Sequence, residues 1–372
     1  MSKLKKVSIY VRNKEITPSS YYRIIQYCNK FEGEINIKEL VPSNFYKLYL
    51  NYDKEKKINY FILKVLYFLI IFFRVTVFLL YDIINKPDST IVSKTFFPRH
   101  TPNLTILQIK KLVKHTKLYW DFDDHILGSG EIDAKQFELL EKESEKIIVS
   151  NIFLKSKINP LHQDKVISLP TTDGDFQGFN KNEINNQRKK SFNKEVKLVW
   201  VATSGNLPHL EKIIPILEEA AFKMKKEKKK KLELSIVCNK PLKTNTTYLQ
   251  IRNIKWSREK AKEEMFNAHI GIMPLIYSEY ALGKAGFKLV QYISTQLPVI
   301  GSDVGFNNEV IEGSSGILVD DREHNENWIE AIDNLTESWD KWEEYSHNAG
   351  LQWNEKFSFK NNLKIWKSML GV

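Results

Sequence analysis

Short apolar runs alternate along the chain with longer stretches in which apolar residues recur every three or four positions. Each short run is rich in Val, Ile and aromatic residues and is bounded by polar or turn residues, as buried parallel strands are. Strands are predicted at 6–11, 89–94, 117–122, 146–151 and 165–170, then at 197–203, 232–239, 269–275, 298–302 and 316–320. Strands that alternate with helices predict a parallel α/β structure, and two such series predict two doubly wound domains.

The polar stretch 181–195 lies between the two series and has no hydrophobic periodicity, which predicts a linker. We therefore expect a Rossmann-like N-terminal domain over 1–185 and a Rossmann-like C-terminal domain over 186–350. The remaining residues, 351–372, are expected to form a helix that packs back toward the N-terminal domain. A chain of 372 residues is long enough for two such domains.

The hydrophobic segment 58–84 is long enough to span a membrane, but Lys64 and Arg74 interrupt it. In a helix at about 100° per residue, the charged residues Lys57, Lys64, Arg74 and Asp82 fall in one sector. Three interpretations are open: a helix packed on the sheet with one charged edge exposed, a helix lying in the membrane interface, and a true span.

The composition narrows the classes of function. A net charge of +11 favours an anionic partner, such as nucleic acid, a membrane surface or a phosphorylated substrate. Nucleic acid is disfavoured because the basic residues are spread along the chain without an RNA- or DNA-binding signature. Cys28 and Cys238 are far apart, which argues against a disulfide framework or a zinc site. The N-terminus lacks the apolar stretch of a signal peptide, so we expect a cytoplasmic protein.

A glycine- and lysine-containing turn, GKAG at 283–286, leads into an apolar helix. The buried face of that helix is predicted from the i, i+3, i+4, i+7 spacing of Gly286, Leu289, Val290 and Ile293. A helix N-terminus offers free N–H groups and partial positive charge, glycine allows close approach, and lysine adds a charge. The turn is therefore a candidate phosphate site, although a plain strand-to-helix connection with solvated lysines has the same pattern.

An acidic cluster follows the strand at 117–122, at the edge where open α/β sheets bind ligands. It contains Asp121, Asp123, Asp124 and His125. Carboxylates spaced as in DxD can chelate Mg²⁺ on a diphosphate. The alternatives are sugar binding by Asp124 and His125, and a structural cap on the next helix.

The stretch GKAGFKLVQYISTQLPVIGSDVGFNNEVI resembles the C-terminal domain motif of retaining GT-B glycosyltransferases of the family 4-like group. The resemblance continues in HIGIMPLIYSEYALGK, VWVATSGNLPHLEKIIPIL, ITPSSYYRIIQY and KLYWDFDDHI, and so covers most of the chain. It implies an α/β GT-B fold with two Rossmann-like domains facing a central cleft. It also implies an enzyme, a hexosyltransferase-type glycosyltransferase, that needs no cofactor and no metal.

The resemblance further implies a UDP- or GDP-linked sugar donor, a glycan or lipid-linked acceptor, and transfer with retention of anomeric configuration. Together with the charge and the hydrophobic segment, this predicts a role in cell-envelope or polysaccharide biosynthesis. We expect the protein in the cytoplasm, with peripheral contact at the inner face of the cell membrane as one option, and we expect no nucleic-acid partner.

Carried over residue by residue, the resemblance implies three groups of site residues. Donor binding is assigned to Gly205, Asn206, Gly283, Lys284, Gly286, Phe287, Lys288 and Gln291. Asp124 and His125 are assigned as catalytic, and Ser20, Tyr22 and Arg23 to the acceptor side. The family's E-x7-E glutamates would fall on Gly283 and Gln291 and are absent here, so a catalytically silent partner subunit is an alternative. A basic nucleic-acid-binding protein is the other.

Overall fold

The computed structural model describes residues 4–52, 57–176, 178–322 and 326–372. The chain divides into two compact units. Unit 1 comprises Met1–Thr171 and Lys360–Val372, and unit 2 comprises Thr172–Phe359. The division falls at Thr171–Thr172, whereas the sequence placed the domain boundary at 185–186.

Unit 1 is built on a six-stranded parallel sheet with the order β2-β1-β3-β4-β5-β6. Its strands are β1 Lys6–Val11, β2 Glu34–Glu39, β3 Ser89–Ser93, β4 Lys117–Phe122, β5 Lys146–Val149 and β6 Val166–Ser168. Its helices are α1 Pro18–Ser20, α2 Gln26–Cys28, α3 Ser43–Asn51, α4 Lys57–Asn85, α5 Asn103–Leu112, α6 Ala134–Glu143 and α7 Ile152–Ser156. A π-helical turn, Tyr21–Ile25, joins α1 to α2.

Unit 2 repeats this plan with a parallel sheet of order β12-β11-β10-β7-β8-β9. Its strands are β7 Glu195–Val201, β8 Lys231–Cys238, β9 Gln250–Lys255, β10 Ile270–Met273, β11 Val299–Ser302 and β12 Gly316–Val319. Its helices include α8 Lys181–Phe192, α9 Leu207–Glu211, α10 Ile214–Glu227, α11 Arg258–Asn267, α12 Glu279–Leu282, α13 Phe287–Ser294, α14 Asn307–Val310, α15 Asn327–Leu335 and α16 Trp339–Gln352. The last helix of the chain, α17, spans Phe359–Leu370.

The ten predicted strands are present, and two strands were missed. Both missed strands, β2 and β9, lie at the edge of their sheet and carry mostly polar, partly exposed residues, EINIKE and QIRNIK. An edge strand is covered by fewer neighbours, so it does not need the continuous apolar run by which the other strands were recognised. The doubly wound α/β fold class is confirmed for each unit.

The predicted linker at 181–195 is wrong, because this stretch forms helix α8. Its buried face consists of Ile184, Arg188 and Phe192, at i, i+4, i+8 spacing. The helical period was missed because a charged residue, Arg188, occupies one of the buried positions. Its guanidinium is buried and donates hydrogen bonds to the carbonyls of Met265 and Thr295. Burial lowers the pKa of Arg188 to about 9.

Helix α17 belongs to unit 1, although it lies at the end of the chain. The indole Nε1 of Trp366 donates to the carbonyl of Arg23 at 3.1 Å, and Asn362 Nδ2 donates to the carbonyl of Pro170 at 2.7 Å. Trp366 is fully buried in these contacts. The end of the chain therefore completes the core of the unit in which the chain begins.

Two of the four charged residues of helix α4, Arg74 and Asp82, contact the rest of unit 1. The carboxylate of Asp82 is buried, forms an ion pair with Lys38 and accepts a hydrogen bond from Tyr10 Oη at 2.7 Å. Arg74 Nε donates to the carbonyl of Glu39 at 2.9 Å. Lys57 and Lys64 are exposed, and large apolar side chains cover most of the rest of the outward face. The helix thus packs on unit 1 with part of its charged edge exposed, and contact of α4 with a membrane stays a prediction.

Candidate active-site residues in the two units

The order of strands in unit 2 reverses between β7 and β10, and ligands of open α/β sheets bind in the crevice at such a switch point. The loop 203–206 follows β7, and the loop 274–286 follows β10 across the switch. The ammonium of Lys284 donates to Asn206 Oδ1 at 2.7 Å and lies 4.6 Å from the ring centre of Tyr280. Residues predicted for donor binding from two distant segments thus meet at this edge.

Helix α13 begins at Phe287, next to the start predicted from its apolar spacing. Gly286 precedes it with a φ of +54°, and a Cβ at this position would lie 2.6 Å from Phe306 Cδ1. Any other residue would be strained there and would collide with that ring. Gly283 ends helix α12, while Gly205 lies in a short turn with open space around it. The glycines keep both loops close to the crevice.

Lys288, in the first turn of α13, belongs to a buried relay of three side chains. Its Nζ donates to Gln291 Oε1 at 2.7 Å, and Gln291 Nε2 donates to Asp173 Oδ2 at 2.6 Å. Burial lowers the pKa of Lys288 to about 8, although the charge of Asp173 opposes this shift. Burial also raises the pKa of Asp173.

The relay gives a physical reason for glutamine at 291, where the resembled family has glutamate. An amide accepts from Lys288 with its oxygen and donates to Asp173 with its nitrogen, and an ionised glutamate cannot donate. Sequence reasoning missed Asp173. Nothing in the sequence indicates that Asp173 and Gln291 meet.

His209 is a second residue of this edge that sequence reasoning missed. Its Nδ1 accepts a hydrogen bond from the backbone N–H of Ile276 at 3.0 Å. The imidazole therefore ties the start of α9 to the loop after β10. Burial, and then the nearby charge of Lys284, lower the pKa of His209.

The corresponding switch point in unit 1 lies between β1 and β3. A cavity of about 500 Å³ opens there, lined by Arg12 after β1 and by residues 97–100 after β3. Lys94 and Arg99, in the loop after β3, have φ angles of +63° and +66°, which non-glycine residues rarely adopt. Such strained backbone concentrates at ligand sites. The cavity is therefore a candidate binding site.

The three residues predicted for the acceptor side point into unit 1. Arg23 Nη2 pairs with Asp121 Oδ1 at 2.7 Å, and its Nη1 donates to the carbonyl of Leu169 and to Thr171 Oγ1, both at 2.9 Å. Ser20 and Tyr22 are buried as well. The prediction that Ser20, Tyr22 and Arg23 contact an acceptor stays a prediction, and their burial disfavours direct contact.

Lys94 holds the acidic cluster together. Its Nζ lies 3.1 Å from Asp123 Oδ1, 2.5 Å from Asp124 Oδ2 and 3.9 Å from Glu131 Oε2. Burial raises the pKa of Asp123 to about 6. Each carboxylate of the DxD pattern therefore contacts a cation: Asp121 pairs with Arg23, and Asp123 shares Lys94 with Asp124 and Glu131. Within the described residues, no group of three or more His, Cys, Asp or Glu side chains could hold a metal ion.

The two predicted catalytic residues differ in environment. The side chain of Asp124 is half-exposed, and Lys94 balances its charge. The ring of His125 packs edge-on against Phe153, with 5.6 Å between ring centres. Gly128 lies over the imidazole so closely that a Cβ would be 2.4 Å from His125 Cε1. Both residues follow β4 and border the same loop, 124–131.

Comparisons with known proteins agree with this geometry. Residues 199–338 match a family model described as Glycosyl transferases group 1. This range includes the loops 203–206 and 274–286 described above, which we call the donor edge. The resemblance to glycosyltransferases is confirmed over this segment, and the match supports the prediction of an enzyme of the hexosyltransferase type. The narrower family 4-like assignment stays a prediction. No curated protein sequence matches this chain.

Solved structures share the fold over nearly the whole chain. A glycosyltransferase from Rickettsia africae matches with a TM-score of 0.64 and 13% identity, covering 98% of both chains. HepE from Anabaena in complex with UDP-glucose matches with a TM-score of 0.62 and 8% identity, covering 99% of this chain and 100% of that one. Sucrose-phosphate synthase from Thermosynechococcus elongatus matches with a TM-score of 0.57 and 12% identity, covering 98% and 88%. At these identities the likeness shows the fold, and the GT-B fold class is confirmed.

Proposed function

We propose that this glycosyltransferase moves a hexosyl group from a nucleoside diphosphate sugar to a lipid-linked or glycan acceptor, with retention, in cell-envelope or polysaccharide synthesis. The observation that carries the donor assignment is the Lys284–Asn206 contact across the switch point of unit 2. Two lysines at a helix start next to a left-handed glycine suit a diphosphate. The complexes of HepE with UDP and with UDP-glucose support the same donor class.

In the proposed transfer, the main task of the donor edge is to stabilise the negative charge that develops on the departing nucleoside diphosphate, and no protein nucleophile is needed. The bond between the anomeric carbon and the diphosphate oxygen breaks, and its electron pair leaves with the nucleoside diphosphate. The acceptor oxygen bonds to the same face of the sugar, and its proton passes to the departing phosphate. Lys284 and Lys288 would stabilise the charge that develops on that phosphate. Positioning of the two substrates supplies the rest of the rate enhancement.

Titration of UDP, GDP and their common sugar derivatives by isothermal calorimetry tests the donor assignment. We expect saturable binding of one nucleotide series, and about ten-fold weaker binding for Lys284→Ala because one charge-assisted contact is lost. Lys225→Ala, which removes an exposed lysine from α10, is the matched control and should bind normally. A folded protein that binds none of these nucleotides would overturn the donor assignment and favour the silent-subunit alternative.

We also propose that unit 1 rests on the inner face of the cell membrane through helix α4. Within the described part of the chain, α4 is long and apolar enough to cross a membrane, yet Ile71, Val75 and Leu79 anchor one side of it in the core of unit 1. Its outward side carries large exposed apolar residues: Ile58, Phe61, Ile62, Val65, Leu66, Phe68, Leu69, Phe73, Val77, Leu80, Tyr81 and Ile84. An apolar face of this extent suits the boundary between lipid headgroups and acyl chains.

Flotation with liposomes of mixed neutral and anionic phospholipids tests this contact. Phe61 and Phe73 are 67% and 63% exposed, so the double variant Phe61→Glu/Phe73→Glu should fold normally and lose most of its vesicle binding. Leu161→Glu changes another exposed apolar residue of unit 1, which is 81% exposed and lies outside α4, and should float as wild type does. Equal flotation of all three proteins would contradict the membrane role of α4.

A further inference from the structure

We propose that the cavity at the switch point of unit 1 binds the head of an anionic lipid-linked acceptor, a phosphate or diphosphate carried on a hydrocarbon chain. The inference rests on the proposed function, because it assigns the acceptor of that reaction. The predicted acceptor residues Ser20, Tyr22 and Arg23 are buried, whereas the cavity offers a volume of about 500 Å³ to a ligand. The cavity lies where an open α/β sheet binds its ligand.

The cavity wall has an excess of positive charge. Arg12, Lys64 and Arg99 line it together with a single carboxylate, that of Glu131. Glu131 is already used, since its Oε1 lies 3.4 Å from Arg12 Nη2 and its Oε2 lies 3.9 Å from Lys94 Nζ. The charge left over by these contacts attracts an anion, and guanidinium groups match phosphate oxygens in geometry.

Arg12 is held in place but is not saturated. Its Nη1 donates to Tyr67 Oη at 2.7 Å and its Nη2 contacts Thr95 Oγ1 at 3.4 Å. Its Nε–H is buried and has no hydrogen-bond partner among the described residues. An unpaired donor of a buried cation is costly, and a ligand oxygen in the cavity would remove that cost.

Aromatic rings form another part of the cavity wall. Tyr49 and Tyr67 stack with 4.2 Å between ring centres, and Tyr46 stacks on Tyr67 at 6.4 Å. Phe68 packs edge-on against Phe97, with 5.1 Å between ring centres. Such rings cover the apolar faces of a sugar or the first carbons of a lipid chain. A volume of about 500 Å³ admits a head group but not a long chain.

The cavity continues into the apolar outer face of α4. Leu50 and Phe68 line the cavity and are themselves 50% and 42% exposed. Lys64, Tyr67, Phe68 and Ile71 line it from α4, the helix that also carries Phe61, Leu69 and Phe73 on its exposed side. A head group among the cations therefore places an attached chain on this helix. A neutral glycan would use neither the charge nor the apolar rim.

Binding of three probes at physiological salt separates the components of this ligand: farnesyl diphosphate, farnesol and inorganic diphosphate. Calorimetry below the micelle concentration should show that farnesyl diphosphate binds at least ten-fold more tightly than either of the others. The expected order follows from the need for both the charged wall and the apolar rim. Binding of farnesol as tight as that of farnesyl diphosphate would overturn the anionic head, and tight binding of diphosphate alone would overturn the lipid chain.

Variants locate the site. Lys64→Met and Arg99→Ala should each weaken farnesyl diphosphate binding about ten-fold and leave farnesol binding unchanged. Arg12→Met should do the same, and thermal melting shows whether this variant still folds. Lys135→Ala, an exposed lysine on α6 of the same unit, is the control. Unchanged binding in both Lys64→Met and Arg99→Ala would overturn the proposal. Nucleotide binding by unit 2 in these same variants reports separately on the proposed function.

Discussion

Replacement of Asp121 by alanine should lower the free energy of unfolding of unit 1 by about 3–5 kcal/mol, because it leaves a buried arginine without its counter-charge. Arg23 and Asp121 are both about 1% exposed, and Arg23 also contacts Leu169 and Thr171. Trp366 of α17 donates to the carbonyl of Arg23. Loss of the pair should therefore loosen β4, the end of β6 and the last helix together.

Hydrogen exchange measured by mass spectrometry across a urea series is the suitable measurement, since it resolves peptides of unit 1 from those of unit 2. A protein with two units need not unfold in one step, so a single melting temperature would not report on this pair. The double variant Arg23→Met/Asp121→Leu is the matched control: it leaves no unpaired charge and should be more stable than Asp121→Ala. A loss below about 1 kcal/mol in the single variant would contradict the importance of the pair.

Replacement of Lys288 by methionine should weaken binding of the donor nucleotide by about ten- to a hundred-fold. The ammonium of Lys288 is buried beside Gln291, where a charge interacts more strongly with a diphosphate than it would in water. A charge-assisted hydrogen bond contributes about 1.5–3 kcal/mol, which corresponds to this range of affinity.

The lowered pKa of Lys288 makes this prediction specific. In the free enzyme the amine is protonated below about pH 8 and neutral above it. The bound diphosphate stabilises the protonated form, so binding above pH 8 takes up a proton. The affinity should therefore fall as the pH rises through 8, by up to about ten-fold per pH unit. The terminal phosphate, whose second pKa is near 6, is already ionised in this range.

Calorimetric titrations between pH 7 and pH 9.5, in buffers with different ionisation enthalpies, measure both the affinity and the proton uptake. Lys288→Arg keeps its charge throughout this range, so its affinity should vary little with pH. A wild-type affinity that is constant from pH 7 to 9.5, with no proton uptake, would show that Lys288 does not bind the diphosphate.

At the donor edge, some site residues could be predicted from the local sequence pattern and others could not. The start of α13, the need for glycine at 286 and the grouping of Lys284 with Asn206 could be inferred from spacing and from the family resemblance, because they depend on contiguous residues or on a shared motif. Asp173 could not be inferred. It joins the site only through a hydrogen bond to Gln291, across a separation in sequence that no local pattern encodes.

The sequence by itself determined ten of the twelve strands of the described residues and the two doubly wound units, because buried parallel strands and their turns need characteristic residues wherever they occur. It also indicated the glycosyltransferase class through the family resemblance. The tertiary structure alone decided three other matters. It turned Arg23 and Asp121 into a core pair rather than ligand contacts, and it made 181–192 a helix around a buried arginine. It also buried Asp82 of α4 in an ion pair and left much of the apolar surface of that helix exposed. From sequence alone a charged residue is predicted to be exposed. It can be buried only where the fold brings hydrogen-bonding or oppositely charged partners to it, and those partners are distant in sequence.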